Sequence, residues 1–318
     1  MAPAARFGLD PLPPSPETGL VELTDLLRFF AHPVRALLRD RAGLSIRGPD
    51  EQPDEQIPAQ LQGLDRWAVG DRMLRLHLQG HDLSRLRDAE WRRGALPPRM
   101  FGARGLGQLV EEVAEVAAAA GEYRKGEPER YPVDITLPST GDRLTGTVPS
   151  VFGDDLVRVG FSRLSARHRL QSWLELVALT ATGVARPRRA VTIGSRGRSI
   201  LGPVSGPWAV QVLADLVELR RTGLCEPLPF SPRTSAEYAT LRRDQQLTPA
   251  LFRDLDKVWA QDRDAGYERF FGPGVTLAVM LAQPSRAEEE RGDLGEPSRF
   301  GTLARRVFAP LLRCEDLT

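Results

Sequence analysis

Between residues 146 and 182 the chain reads GTVPSVFGDDLVRVGFSRLSARHRLQSWLELVALTAT, and its apolar positions change period partway along. Val148, Val151 and Phe152 are apolar, Gly153-Asp154-Asp155 supplies turn residues, and Leu156, Val157, Val159 and Phe161 follow. Apolar runs separated by a Gly-Asp turn predict two strands and a tight connection, over 143–152 and 156–161. From Leu170 the spacing becomes helical. Leu170, Trp173, Leu174, Val177 and Ala178 stand at i, i+3, i+4, i+7 and i+8, which predicts a helix over 165–182 with one buried face.

The same procedure places the other elements. Leu26, Phe29, Phe30, Val34, Leu37 and Leu38 form a stripe over 23–41. Thr24 or Asp25 is its expected N-cap, and Pro33 imposes a kink or break near His32. Residues 61–78 and 82–93 predict two helices. A third, over 106–120, buries Leu109, Val110, Val113, Val116 and Ala117. Residues 131–137 and 190–193 read as strands, and 208–222, 235–244, 249–262 and 300–312 as helices. The Pro-broken acidic stretch 48–58 predicts a solvated loop. So does 284–297, whose Glu288, Glu289, Glu290, Asp293 and Glu296 suggest a mobile acidic loop. Helix, three strands, helix, strand predicts an α/β fold, with a mixed central sheet flanked by helices and further helices at both ends. Residues 1–20 read as a flexible linker, 21–104 as a helical segment packed on the core, 105–225 as the core, and 226–318 as a helical extension of the same domain.

Composition narrows the class. A chain of 318 residues, 41% hydrophobic and 27% charged, can bury a large core. Its net charge of +1 excludes a global basic field, so any nucleic-acid contact must be a local patch. Cys225 and Cys314 are the only cysteines, which fits a reducing cytoplasm. No apolar run is long enough to span a membrane, and the Pro-rich start is not a secretory signal. It reads as a linker, and the chain as a piece or the end of something longer. Lysine occurs only at Lys125 and Lys257, so positive charge is almost all arginine, whose planar fork suits phosphate.

Five pieces of the sequence carry a resemblance. They are LTDLLRFFAHPVRALL, GALPPRMFG, LTGTVPSVFGDDLVRVGFSRLSARHRLQSWLELVALTATG, TGLCEPLPF and FAPLL, in this order over roughly residues 20–313. The chain resembles the C-terminal domain of RecC, a subunit of the RecBCD helicase–nuclease, exodeoxyribonuclease V. The resemblance implies a restriction-endonuclease-like PD-(D/E)xK fold that has lost its catalytic groups. Active members carry Asp in a GxxD strand and Asp-x-Lys on the next strand, to hold a divalent cation and orient water. Here GxxD becomes Gly146-Thr147-Val148-Pro149, and the second motif falls at Gly160-Phe161-Ser162. Pro149, Gly160 and Ser162 are therefore vestigial positions, with no metal and no cofactor implied. The resemblance further implies RecB-like and RecD-like helicase subunits as partners, forked or single-stranded DNA as ligand, and a pin that splits the duplex. The hairpin around Gly141 and residues 186–199 are candidates for that pin.

Other chemistry is thin. Asp154 and Asp155 suit the turn, and Glu111, Glu112 and Glu115 suit a solvated helix face. His77 and His81 are four apart, but no general base follows and no third ligand is visible. There is no G-x-S-x-G elbow, and the Gly194–Arg198 stretch lacks a P-loop lysine. Trp173 and Trp208 lie on apolar helix faces and should pack in the core. Charge is the positive signal: residues 158–198 hold nine arginines and one acid, Glu175. Arg163, Arg167, His168, Arg169, Arg186, Arg188, Arg189, Arg196 and Arg198 are the candidate DNA contacts. An active magnesium-dependent nuclease with displaced ligands, and a purely structural interaction domain, stay open beside this.

Overall fold

The computed structural model describes residues 11–14, 19–44, 63–94, 96–97, 99–183, 189–244, 248–292 and 295–318. Strand β3 (Arg143–Phe152) matches the span that the apolar pattern marks. One edge of it pairs antiparallel with β2 (Glu129–Thr136). Its other edge is shared. β1 (Leu20–Glu22) lies parallel to residues 143–145, and β4 (Asp155–Val159) pairs antiparallel with Val151 and Phe152. β4 then runs parallel to β5 (Arg189–Ile193), and β6 (Arg198–Leu201) and β7 (Glu315–Leu317) extend the sheet antiparallel. A parallel β4–β5 pair requires a crossover, and helix α6 (Ala166–Thr182) makes it. Ser165 caps the start of α6, and Gly183, in the left-handed conformation, ends it.

The period-2 alternation of strands sorts side chains onto two faces. Leu156 of β4 and Ala190 of β5 pack with Leu170, Trp173 and Leu213, on the side of α6 and α7 (Gly206–Gly223). Val157, Val191 and Ile193 pack instead with Val69, Met73 and Leu109. These come from α3 (Gly63–His77) and α5 (Arg99–Gly121), with α4 (Leu83–Arg92) beside them. In β3, Leu144 and Val148 face the α6 side, and so does Val151, three residues on. The register explains the odd step. Tyr131 pairs with Val148 and Glu129 with Val151, so Arg130 opposes both Pro149 and Ser150. This is a β-bulge, and Ser150 takes φ 66° within it. The extra residue keeps Val151 inward and turns Phe152 to the other face.

The predicted break at Pro33 is present: α1 (Leu23–Ala31) ends and α2 (Pro33–Ala42) begins across His32. The N-cap of α1 is Glu22 rather than Thr24 or Asp25, because β1 runs directly into the helix. The His32 Nδ1 accepts the backbone N–H of Arg35 at 3.2 Å, so Nε2 carries the proton and donates to Asp264 at 3.0 Å. Arg35 also donates to Asp264, which in turn caps α10 (Ala265–Phe271). Burial works to raise the Asp264 carboxyl, but the hydrogen bond from His32 and the charge and hydrogen bonding of Arg35 hold it well below the usual carboxylate range.

The helix predicted over 106–120 starts at Arg99, seven residues early. Gly102 allows it, since a Cβ there would lie 2.1 Å from the Pro97 carbonyl. Beyond α7, the helices α8 (Pro232–Asp244), α9 (Pro249–Asp262), α10, α11 (Leu277–Leu281) and α12 (Arg299–Arg313) build a third core with α2 around Trp259, Tyr267 and Phe300. The described parts of the acidic stretch before α12, 284–292 and 295–297, are packed onto the helices rather than solvated; Asp293 lies outside the described residues. Glu289 and Glu296 are buried, and each meets arginines. Arg299, itself buried, donates to Glu289 at 2.8 Å and to Glu226 at 2.6 Å, and Arg286 adds to Glu226. Arg306 and Arg291 share Asp215. Glu296 accepts from Tyr238 at 2.6 Å and from Arg242 and Arg305. Acid content alone reads as solvated, but here every guanidinium needed to bury the carboxylates comes from α7–α12 neighbours. The stretch 48–58 and most of the linker, 1–10 and 15–18, lie outside the described residues. Within that linker, Leu12 and Pro13 hydrogen-bond Cys225 and Arg41.

Two outcomes follow from these ion pairs. Arg299→Ala leaves Glu289 buried without a counter-charge and should cost about 3–5 kcal/mol in urea denaturation, with part recovered by adding Glu289→Gln. A loss near zero would mean that the pair is replaceable by water. Asp264, whose native carboxyl is depressed, contributes stability that is present above its unfolded value of about 3.9 and fades as pH falls below it. The gap in melting temperature between the native chain and Asp264→Asn should be constant above about pH 5 and shrink below about pH 4.

Candidate nucleic-acid interface

Pro149, Gly160 and Ser162 have structural roles. Pro149 sits in the β3 bulge, where a missing backbone N–H removes nothing from the ladder. The Gly160 N–H donates to Ile193 at 3.0 Å and prolongs the β4–β5 pairing. Ser162 is the centre of a hydrogen-bonded knot. Its Oγ accepts from Trp67 Nε1 of α3 at 2.8 Å, and its carbonyl accepts from the Ser195 N–H at 2.9 Å. Between them Phe161 is buried against α3. A Cβ on Gly70 would lie 2.3 Å from its ring, so only glycine allows this approach. Helix α3 therefore closes over the end of β4.

The interior beside these positions is polar but satisfied. Arg158 of β4 donates to Glu175 of α6 through Nε at 2.5 Å and through Nη2. Burial pushes the Glu175 carboxyl up, against the pull of Arg158 and Gln171. Ser172 of α6 shares a 2.6 Å hydrogen bond with Thr192 of β5.

The seven described arginines of residues 158–198 separate into two sets. Arg169 is not available to DNA: it donates to Glu315 of β7 at 2.6 Å, and both side chains are largely buried. Arg158 is likewise consumed. Arg189 grips Asp155 at 2.6 and 3.0 Å and lies over the Tyr123 ring, while Arg198 donates to the Tyr123 hydroxyl at 2.9 Å and to Thr318. These two are half-exposed structural contacts. His168 is half-buried. Burial, then the charge of Arg167, lowers its basicity against the raising effect of the Arg163 carbonyl. Arg163, Arg167 and Arg196 are exposed, and they form no ion pair among the described residues. The backbone presents two of them together: Leu164 N–H reaches the Arg196 carbonyl at 3.5 Å, next to the Ser195–Ser162 bond. Arg186 and Arg188 lie outside the described residues.

The remaining candidates are used locally. Asp155 belongs to Arg189, and Glu112 pairs with Arg66 across α3 and α5 at 2.7 Å. His77 Nδ1 bonds the His81 carbonyl rather than sharing a ligand with its ring. No group of three or more His, Cys, Asp or Glu able to hold a metal occurs among the described residues. Nor is any helix among them long and apolar enough to cross a membrane. Trp173 is fully buried and packs edge-on to the half-buried Trp208. Sequence reasoning missed Trp67, which is 43% exposed. The available signal was its place at the margin of the α3 stripe of Val69, Met73 and Leu74. Of the pin candidates, the turn at Gly141 is tied down, because Asp142 is buried and bonded by Arg221 at 2.6 Å. Residues 186–188 of the other lie outside the described residues.

The class is thus an α/β domain whose sheet-end positions are filled by packing residues and rimmed by arginines with no ion pair among the described residues. The profile of the RecC C-terminal domain matches residues 18–243, and the chain belongs to this family. The chain is 39% identical over 322 residues to the RecBCD enzyme subunit RecC of Mycolicibacterium smegmatis, covering 99% of this chain and 29% of that protein. It is 36% identical over 310 residues to the RecC of Mycobacterium tuberculosis, with 95% and 28% covered, and 30% identical over 239 residues to that of Escherichia coli, with 75% and 21% covered. The chain spans less than a third of the length of these relatives.

The sorting of arginines has a direct readout. Glu175→Ala strands Arg158 and should destabilise the fold by about 3–5 kcal/mol. Arg163→Ala and Arg196→Ala should each stay within about 0.5 kcal/mol of the native chain. Thermal unfolding that reversed this order would overturn the assignment.

Proposed function

We propose that this chain is a non-catalytic domain of a RecBCD-type helicase–nuclease, which handles DNA and scaffolds subunits during double-strand-break repair in the cytoplasm. The observation that carries the proposal is at the ends of β3 and β4. Where an active restriction-endonuclease-like site needs two carboxylates and a lysine, the chain has Pro149, Gly160 and Ser162, each engaged in a bulge, a ladder bond or the Trp67 knot. The order α5, β2, β3, β4, α6, β5, with β4 and β5 parallel, supports that fold assignment. The rim supplies Arg163, Arg167 and Arg196 for phosphates. RecB-like and RecD-like helicase subunits are the proposed partners, by analogy with relatives that are subunits of a RecBCD enzyme.

Incubating the chain with forked DNA, with and without Mg²⁺ and across a salt series, tests this. Binding without cutting is expected. Replacing Arg163, Arg167 and Arg196 together by Ala should flatten the slope of log affinity against log salt by about 2, near 0.7 for each single-strand phosphate that is no longer neutralised. Mg²⁺-dependent cleavage that disappears in Asp154→Ala or Asp155→Ala would establish a nuclease with displaced ligands. Absence of both binding and cleavage would establish a structural interaction domain.

A further inference from the structure

An exposed tryptophan is unusual, because its large ring gains most from burial. Trp67 leaves 43% of its surface in solvent, yet it is not loose. Its indole N–H is bonded to Ser162 Oγ at 2.8 Å, which fixes the plane of the ring against the end of β4. Phe161, packed on Gly70 one turn along α3, holds the helix in place beneath it. The ring stands in the same knot that presents two exposed guanidiniums. Arg163 follows Ser162 directly, and Arg196 follows Ser195, whose N–H bonds the Ser162 carbonyl at 2.9 Å. A Cβ on Gly194 would fall 2.7 Å from that same carbonyl, so the 194–197 turn is pressed close to it.

A fixed aromatic face beside cations that have no acidic partner among the described residues matches one kind of ligand. Phosphates answer the guanidiniums, and an unstacked base answers the ring, a combination that single-stranded DNA offers and duplex DNA does not. We infer that Trp67 is a stacking platform for one base of single-stranded DNA whose flanking phosphates are met by Arg163 and Arg196. This rests on the DNA-handling function proposed above and adds the strand state and the residue that recognises it. Ser162, at a position where a nuclease would carry lysine, then serves as the residue that orients the ring.

The test compares oligo(dT) of about 20 nucleotides with an abasic strand of equal length, by fluorescence anisotropy at about 50 mM salt on the intact chain. Trp67→Ala should bind oligo(dT) roughly 5- to 150-fold more weakly, while its affinity for the abasic strand stays within about threefold of the native chain. Trp67→Phe, which keeps an aromatic face but loses the bond to Ser162, should bind oligo(dT) more tightly than Trp67→Ala and more weakly than the native chain. Strands carrying 5-bromodeoxyuridine should photocross-link to Trp67, as identified by mass spectrometry of the tryptic peptide. Equal losses on both strands, or native affinity of Trp67→Ala for oligo(dT), would overturn stacking. If the native chain binds neither strand, the DNA-handling function fails and this inference with it. If the arginine triple variant loses binding while Trp67→Ala does not, DNA handling stands and stacking alone falls.

Discussion

The ion pair between Arg158 and Glu175 is the constraint on which the centre of the structure depends. It joins β4 to α6, the strand and helix of the β4–β5 crossover, inside a mainly apolar layer. A buried carboxylate there is tolerable only with its charge met and its lone pairs occupied, and the two-pronged guanidinium does both. Replacing the pair by apolar residues need not weaken the fold, whereas removing one member would. The pair therefore acts as a register lock. β4 and α6 can slide against one another only by breaking it, and Ser172 with Thr192 repeats the same logic one strand over.

Arginine is used in this way throughout. Arg169 of α6 reaches Glu315, and through it the final strand β7 is held to the sheet; Ser199 of β6 donates to the same carboxylate at 2.6 Å. The Arg286, Arg299, Arg306 and Arg291 chain stitches the segment before α12 onto α7. Lysine would serve poorly at these sites, since one point charge cannot satisfy two carboxylate oxygens in a fixed plane. Abundant arginine is therefore not a measure of nucleic-acid affinity. Most described arginines of residues 158–198 are structural, and the three that are not stand out only once their neighbours are known.

Local periodicity made part of this legible in the chain. It bounds β3 to the residue and α6 within one, and the mixed α/β architecture follows from their order. β6 and β7 were not legible: they are short and partly polar, and β7 finds its partner more than a hundred residues earlier in the chain. The fate of Glu289 and Glu296 was invisible too, since a run of acids does not show which arginines of α8 and α12 fold onto it. Among candidate site residues, Pro149, Gly160 and Ser162 were singled out only through the motif that the family resemblance supplies. That Arg169 is buried and Trp67 exposed could not be read from the chain, because each depends on which side of a packed element meets which neighbour.

Positions 149 and 160–162 also show how this end of the sheet is stabilised by packing. An acidic residue at position 149 would sit in a bulge already shaped by the positive φ of Ser150, and its carboxylate would need a cation or donors to remain there. Proline asks for neither. At the end of β4, Phe161 fills space under α3 that a hydrated cation and attacking water would require, and Gly70 is shaped to receive it. Building a metal site here would thus take more than placing two carboxylates and a lysine. Helix α3 would have to withdraw, which would break the Trp67–Ser162 bond and expose the second core at Val69 and Met73. The same packing neighbours hold Trp67 and its adjoining arginines at the surface.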